Sequence, residues 1–248
     1  MDEVDLEALA AAYDHRPPTA GSLLRAAAAA GAAGLGPGST AVDVGGGRGW
    51  HAARFAAMGA RALVVDRSEA MAAAASQHPG VLAVVGDAES LPVADGTADL
   101  VYHHLSIHYS DWRSSMREAA RVCRPGGMVW VWTLRSEHHR TSFLARWFPS
   151  VGDIDEGRFP DPGGLAAHLA GSGWEQVRAR DAAEEVERTA GEWRAAAAGG
   201  FVSTLQMLPA GEMEEGLRRF DAAHPDPAEV LRYSLLFCAV SARRPSLR

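Results

Sequence analysis

The chain has 248 residues, with 24 basic and 31 acidic side chains and a formal charge of −7. That length is enough for a domain with a core of its own, and 47% hydrophobic with 22% charged residues is a globular balance that excludes wholesale disorder. Every basic residue is Arg, none is Lys, and no Arg-rich cluster stands out, so generic nucleic-acid binding is disfavoured. The start, MDEVDLE, lacks the basic-then-apolar pattern of a secretory signal. The apolar run from Ala26 to Leu35 is too short to span a bilayer. Cys123 and Cys238 are too few and too far apart to suggest a disulfide framework or a Cys-based zinc site. The expectation is a cytoplasmic protein without membrane association.

Leu6–Tyr13 and Ser22–Ala33 read as two helices, separated by Pro17-Pro18, which cannot continue a helix. Thr40–Val44 is a short strand that runs into Gly45-Gly46-Gly47-Arg48-Gly49, and a helix follows over Trp50–Met58. Ala62–Val65 is a second strand with Asp66 at its carboxyl end, and Ser68 stands where the N-cap of a helix over Glu69–Gln77 belongs. Val81–Val85, Ala98–His103 and Met128–Thr133 are strands three to five, with a helix over Asp111–Cys123 between the last two. Apolar strands alternating with helices predict a parallel sheet covered on both faces. Right-handed crossovers then line the loops after each strand along one edge, where open α/β sheets bind ligands. Further on, Pro162–Ala170 reads as a helix, Trp174–Arg180 as a strand, 183–229 as helical with breaks, and Arg232–Ala242 as a closing strand.

Glycines between a strand and a helix permit a tight turn and a close approach of ligand to backbone. Such a loop alone is a weak signal. It gains strength from Asp66, 21 residues after Gly45, where a carboxylate can accept from both hydroxyls of a ribose. Two cofactor classes use this arrangement. A dinucleotide fingerprint counted from Gly45 puts Trp50 at its sixth position; counted from Gly47 it has Gly49 and Ala52, an imperfect match.

The spacing Asp43-x-Gly45-x-Gly47-x-Gly49 instead resembles the first motif of class I S-adenosylmethionine-dependent methyltransferases. Val65-Asp-Arg-Ser-Glu-Ala-Met71 resembles that family's second-strand motif, and Gly86-Asp-Ala-Glu-Ser-Leu-Pro92 its third. Leu105-Ser-Ile-His108-Tyr-Ser-Asp111 and Arg121-Val-Cys-Arg-Pro-Gly-Gly127 look like its fourth-strand and pre-fifth-strand segments, and the set resembles the small-molecule branch that includes ubiquinone- and menaquinone-type enzymes. The likeness is specific over residues 40–133. Tyr13-Asp-His-Arg-Pro17 also resembles a segment that folds over the cofactor in such enzymes.

The resemblance implies a Rossmann-like α/β three-layer sandwich, its seven-stranded sheet mostly parallel with an antiparallel last strand. It implies one methyltransferase domain over 1–248: a helical cap over 1–38, a cofactor-binding core over 39–133, and a substrate-specifying region with the closing strands over 134–248. S-adenosylmethionine would be held by Asp43, Gly45, Gly47 and Gly49 at its methionine end, with Tyr13 in the segment that folds over the cofactor. Asp66 would take the ribose, Arg67 and Met71 would flank the adenosine, and Asp87 and Ala88 would read the adenine.

Methyl transfer from a sulfonium is a displacement in which alignment is most of the work. A phenol, alcohol or ammonium acceptor must also lose a proton, and His is the natural recipient at neutral pH. Five histidines fall where the substrate is expected: His103, His104, His108, His138 and His139. His108 matches a histidine often found in this branch and is the first choice as general base. His104 is the second, and it also stands where it would line the cofactor. The bland alternative for each is packing or capping. His104 and His108 are four apart, as zinc ligands on a helix would be, but a strand end and the lack of an acidic or Cys partner argue against a metal. Trp130 and Trp132 alternate on strand five and read as core. Phe143, Trp147 and Phe148 fit an apolar lid or a packed amphipathic helix equally well.

The expected partner is a small-molecule methyl acceptor, and apolar surface in 134–230 would serve a homodimer as readily as a pocket. The rival readings are an RNA or protein methyltransferase, a nicotinamide-dependent oxidoreductase, and a protein that binds S-adenosylmethionine without transferring methyl.

Overall fold

In the computed structural model of the chain, residues 4–12 and 18–246 are described. Helices α1 (Leu6–Ala12) and α2 (Ala20–Ala33) precede an alternation of strand and helix: β1 (Thr40–Val44), α3 (Trp50–Ala57), β2 (Arg61–Asp66), α4 (Glu69–Ala75), β3 (Val81–Val85), β4 (Ala98–His104), α5 (Trp112–Val122) and β5 (Cys123–Leu134). Four helices follow, α6 (Ser136–Thr141), α7 (Phe143–Trp147), α8 (Val151–Arg158) and α9 (Pro162–Gly171), then β6 (Glu175–Thr189), α10 (Ala190–Ala198), α11 (Glu212–Ala223) and β7 (Val230–Arg243).

The strands form one sheet in the order β3-β2-β1-β4-β5-β7-β6. The first five are parallel, with Val42 beside both Leu63 and Val101, and Tyr102 beside Trp130. β7 runs antiparallel to β5: the Gly126 N–H bonds the Arg244 carbonyl at one end and the Arg135 N–H the Leu236 carbonyl at the other. β6 is antiparallel to β7, since Ala190 bonds Glu229 and Arg232 pairs with Glu187. The expected α/β fold, seven-stranded and mostly parallel with an antiparallel closing strand, is the observed one.

Helix boundaries follow local chemistry. The Ser68 side chain accepts from the Met71 N–H, and Asp111 from the Arg113 and Ser114 N–H groups, each satisfying orphan donors of a first turn. Thr189 and Glu192 cap α10 reciprocally. One sequence reading fails here. Residues 183–189 are rich in Ala, Glu and Arg and read as helix, yet they continue β6. Their exposure alternates residue by residue, and Glu185 and Glu187 meet Ser234 and Arg232 across the strand pair. Pairing with β7 overrides the local propensity.

The described residues fall into two compact units. One comprises 18–133, 160–180 and 238–246, with a core of Val42, Val44, Val65, Val101, Val129, Val131, Leu165 and Leu169, all nearly inaccessible. The other comprises 4–12, 134–159 and 181–237. Its core is aromatic: Trp193 stacks on Phe220 at 4.3 Å, and Phe143 stacks on Tyr233 at 4.9 Å. Trp147 and Phe148 are buried in this core rather than forming a surface lid. The packing reading of that segment is the one that holds.

In the first unit the helix after the glycine loop lies as close to its neighbour as backbones allow. Gly49 caps α3 at φ 79°, and a Cβ there would sit 2.9 Å from the Ala75 Cβ and 3.0 Å from its Cα. Both the left-handed backbone and the contact with α4 demand glycine. Gly49→Ala is expected to lower the unfolding free energy by about 2–4 kcal/mol, read as a shift in the urea midpoint without a change in slope.

Candidate active site

The carboxyl ends of β1, β2, β3 and β4 carry the expected site residues, and a small number of contacts tie them together. The Gly45 N–H bonds the Val65 carbonyl at 2.7 Å, and the Ser106 hydroxyl donates to the Val44 carbonyl at 2.6 Å. Gly45 has φ 63°, and a Cβ there would meet the Ser106 Cβ at 2.5 Å, so the loop is pressed against the segment after β4. Asp66 accepts from the Gly47 N–H at 2.8 Å through one oxygen and from the Ser68 N–H at 3.0 Å through the other. Two backbone donors thus fix the orientation of this carboxylate beside the glycine loop.

Asp87 is held by a local turn. Its Oδ1 accepts from the Glu89 N–H at 2.8 Å, while Arg67 Nε lies 3.8 Å from its Oδ2. Arg67 also donates to the Tyr109 carbonyl at 3.4 Å, and the Glu89 carboxylate accepts from the Asp111 N–H at 2.8 Å. The loops after β2, β3 and β4 are therefore cross-linked by charged contacts. Met71 is buried on α4, and Ala88 is half-buried against the core. Tyr13 lies outside the described residues.

The five histidines separate. His108 sits half-buried on a single 3-10 turn, Ile107–Tyr109, its ring 4.1 Å from that of Tyr109. The turn begins after Leu105, which takes a left-handed φ of 53°. That bend lets Ser106 reach under the glycine loop. His104 ends β4 and accepts from Arg25 Nε at 3.3 Å, which engages the nitrogen lone pair a base would use. His103 points the other way, fully buried, and desolvation pushes it down to about 3. It is not an acceptor-facing group.

His138 and His139 are buried in the second unit. The Leu236 N–H donates to His138 Nδ1, and His139 Nδ1 lies 4.0 Å from Asp155. Both are lowered by desolvation, His138 to about 4. Because His104 and His108 stand on a strand end and a 3-10 turn, the shared helical face of a zinc pair does not form. Among the described residues no group of three or more His, Cys, Asp or Glu is placed to hold a metal ion, and no helix is long and apolar enough to cross a membrane.

A family model described as a methyltransferase domain matches residues 42–131. A demethylmenaquinone methyltransferase of Mycobacterium sp. (strain KMS) is 30% identical over 170 residues, which cover 60% of this chain and 74% of that protein. The chain belongs to the class I S-adenosylmethionine-dependent methyltransferases. Its cofactor is S-adenosylmethionine rather than a nicotinamide dinucleotide, and it falls in the branch of the ubiquinone- and menaquinone-type enzymes. A 23S rRNA (guanine(748)-N(1))-methyltransferase of Streptomyces fradiae is 33% identical over 151 residues, covering 59% of this chain and 51% of that protein. The solved structure of a Haemonchus contortus phosphoethanolamine N-methyltransferase shares the fold, with a TM-score of 0.62 at 16% identity over 96% of this chain and 57% of that one.

The residues present suit this methyltransferase cofactor. Asp66 presents an oriented carboxylate beside a glycine loop, and Asp43 is a buried acid. Asp43 is 1% exposed at the end of β1, and neither carboxylate oxygen makes a well-formed hydrogen bond among the described residues. Burial raises its pKa to about 7; the nearby Ala52 N–H pulls it back, and the charge of Asp66 adds to the rise.

The folded state holds this proton more tightly than the unfolded chain. Asp43 therefore contributes stability below pH 4 that is lost as pH rises toward 7. Asp43→Asn is expected to raise the stability of the cofactor-free protein at pH 8 by roughly 2 kcal/mol. The gap to the parent protein should open between pH 4 and 7 in thermal unfolding, while cofactor affinity falls.

Proposed function

We propose that this methyltransferase acts on an oxygen, nitrogen or carbon nucleophile of a small organic molecule, with His108 orienting or deprotonating the acceptor. Asp43, Gly45, Gly47 and Gly49 hold the methionine end of the cofactor, and Asp66 accepts from the ribose hydroxyls. Arg67 and Met71 flank the adenosine; Asp87 and the Ala88 backbone read the adenine. One observation supports this placement above the rest. Arg67 bridges Asp87 and the Tyr109 carbonyl, so the turn that carries His108 is tied to the loops assigned to the adenosine.

When bound, the cofactor supplies a methyl group already activated on a sulfonium. The work left to the chain is alignment and proton removal. His108, half-buried beside Tyr109, takes the proton of an O–H or N–H acceptor and passes it to solvent. His104 is the weaker choice because Arg25 already donates to its ring. A carbon or tertiary-amine nucleophile asks less of His108, whose role is then orientation.

A small acceptor is supported by the substrate named for the mycobacterial relative and by the charge of −7 without a Lys-bearing patch. The ribosomal relative keeps an RNA acceptor as the second reading.

Calorimetry is expected to give micromolar binding of S-adenosylmethionine and S-adenosylhomocysteine and no binding of NAD. Asp66→Ala should weaken the first two at least ~10-fold through loss of the ribose bonds. With a phenol, amine or quinol acceptor, His108→Ala should lower kcat by about 10²–10³ and leave S-adenosylhomocysteine affinity unchanged. Turnover on structured RNA alone would overturn the small-molecule reading. Tight cofactor binding without turnover on any acceptor would mark a protein that retains the cofactor without transferring methyl.

A further inference from the structure

The sheet has two edges, and the chain treats them differently. At one end stands β6, where eight of the 15 residues are charged, among them Arg178, Arg180, Glu184 and Glu187. Charges along an edge strand discourage its open backbone from pairing with another chain. At the other end stands β3, Val81-Leu-Ala-Val-Val85, which carries no charge and no proline. Among the described residues no strand pairs with its outer side. Val81 is buried, but Leu82 and Val84 project from the opposite face at 61% and 37% exposure, and Val85 is 53% exposed. Adjacent aliphatic side chains left exposed mark an interaction site, and β3 has none of the devices that protect a solitary edge.

The open backbone of this edge is arranged for a strand of its own kind. β3 lies parallel to β2 with Ala83 beside Val64, and the Gly86 N–H bonds the Asp66 carbonyl at 2.9 Å. Backbone groups alternate in direction along a strand, so those of Leu82 and Val84 also face β2. Those of Ala83 and Val85 face outward. The Val81 N–H is already satisfied, by the His78 carbonyl at 3.2 Å. An antiparallel strand set against this edge about a two-fold axis at Ala83 gives each open donor an acceptor. Ala83 exchanges both backbone bonds with its counterpart, and each Val85 N–H reaches the opposite Val81 carbonyl. The same register sets Leu82 beside Val84 of the other strand, in the close pairs where aliphatic side chains touch.

A two-fold contact brings a residue on the axis against its own copy, so a charge there would be repelled. β3 has none, and its smallest side chain, Ala83, falls on the axis. A foreign strand is selected by charge complementarity, which these five residues do not offer; their own sequence satisfies the register from both sides. We propose that β3 is a self-association surface, pairing antiparallel with β3 of a second copy of this chain about a two-fold axis at Ala83. The inference stands on the sheet alone and is independent of the methyl acceptor.

Sedimentation velocity of the whole chain across a concentration series is expected to show a monomer–dimer equilibrium. Its Kd should be on the order of 10–100 μM, as a contact smaller than a standard interface gives. Leu82→Glu sets like charges beside the axis, and Ala83→Pro removes the central donor without touching the bonds to β2. Each is expected to raise Kd at least ~10-fold, whereas Leu24→Glu, at a side chain 68% exposed on α2, should leave it unchanged. Hydrogen exchange at Ala83 and Val85 should slow as protein concentration rises, while Leu82 and Val84, whose amides face β2, change less. Thermal unfolding verifies that each variant is folded. A monomer at every concentration would leave the edge to a partner of another kind and overturn the proposal. A dimer that both β3 variants retain, or assembly that continues past the dimer, would overturn it as well.

Discussion

The loop after β1 is held on both flanks by the strands beside it, and the site depends on that clamp. On one side the Gly45 N–H bonds Val65 and the Gly47 N–H bonds Asp66. On the other, Ser106 donates to Val44 while its Cβ occupies the space that any side chain at position 45 would need. Close approach of this kind is possible only where the loop lacks side chains and reaches left-handed backbone angles. The bonds to Asp66 fix the carboxylate before a ligand arrives, so its orientation is settled during folding. The same clamp places Ser106, and through it the turn that carries His108.

The clamp leaves polar groups buried. Asp43 sits where β1 ends, among Ala52, Tyr102 and the start of α3, and its carboxyl is raised to about 7 by desolvation. A protein built only for stability would place an apolar residue there. Buried His103, on the opposite face of β4, also gives up its charge to desolvation; the Ser106 hydroxyl lies 3.5 Å from its Nδ1, while its Nε2, like the Asp43 oxygens, makes no well-formed hydrogen bond among the described residues.

The second unit follows a different logic. Its aromatic core is pinned by a buried polar strut: Thr204 donates to Asp155 at 2.6 Å, and Arg158 donates to Ser203 and Thr204. Gly216 lies where a Cβ would strike the Phe148 ring, so α11 and the segment after α7 pack at backbone distance. The histidines that resemble catalytic candidates in sequence, His138 and His139, belong to this packing.

Much of the fold and of the candidate site was legible in the amino-acid order, because both rest on local chemistry. Apolar runs of strand length alternate with capped helices over 40–133, and a chain of that pattern has few ways to cover both faces of a sheet. The glycine spacing, Asp66 and Asp87 stand at strand ends, where the loop order places them along one edge. What only the tertiary structure decided depends on partners distant in sequence. Residues 183–189 became strand because β7 supplies hydrogen bonds and counter-charges that outweigh their helical propensity. The histidines were separated by burial and by Arg25, 79 residues before His104, and no spacing rule reports either. Asp43 and Tyr102 come side by side because β4 lies beside β1, and His51 and Phe55 of α3 pack on the Tyr102 ring, so the residues that meet are set by the sheet's register and not by neighbourhood in the chain.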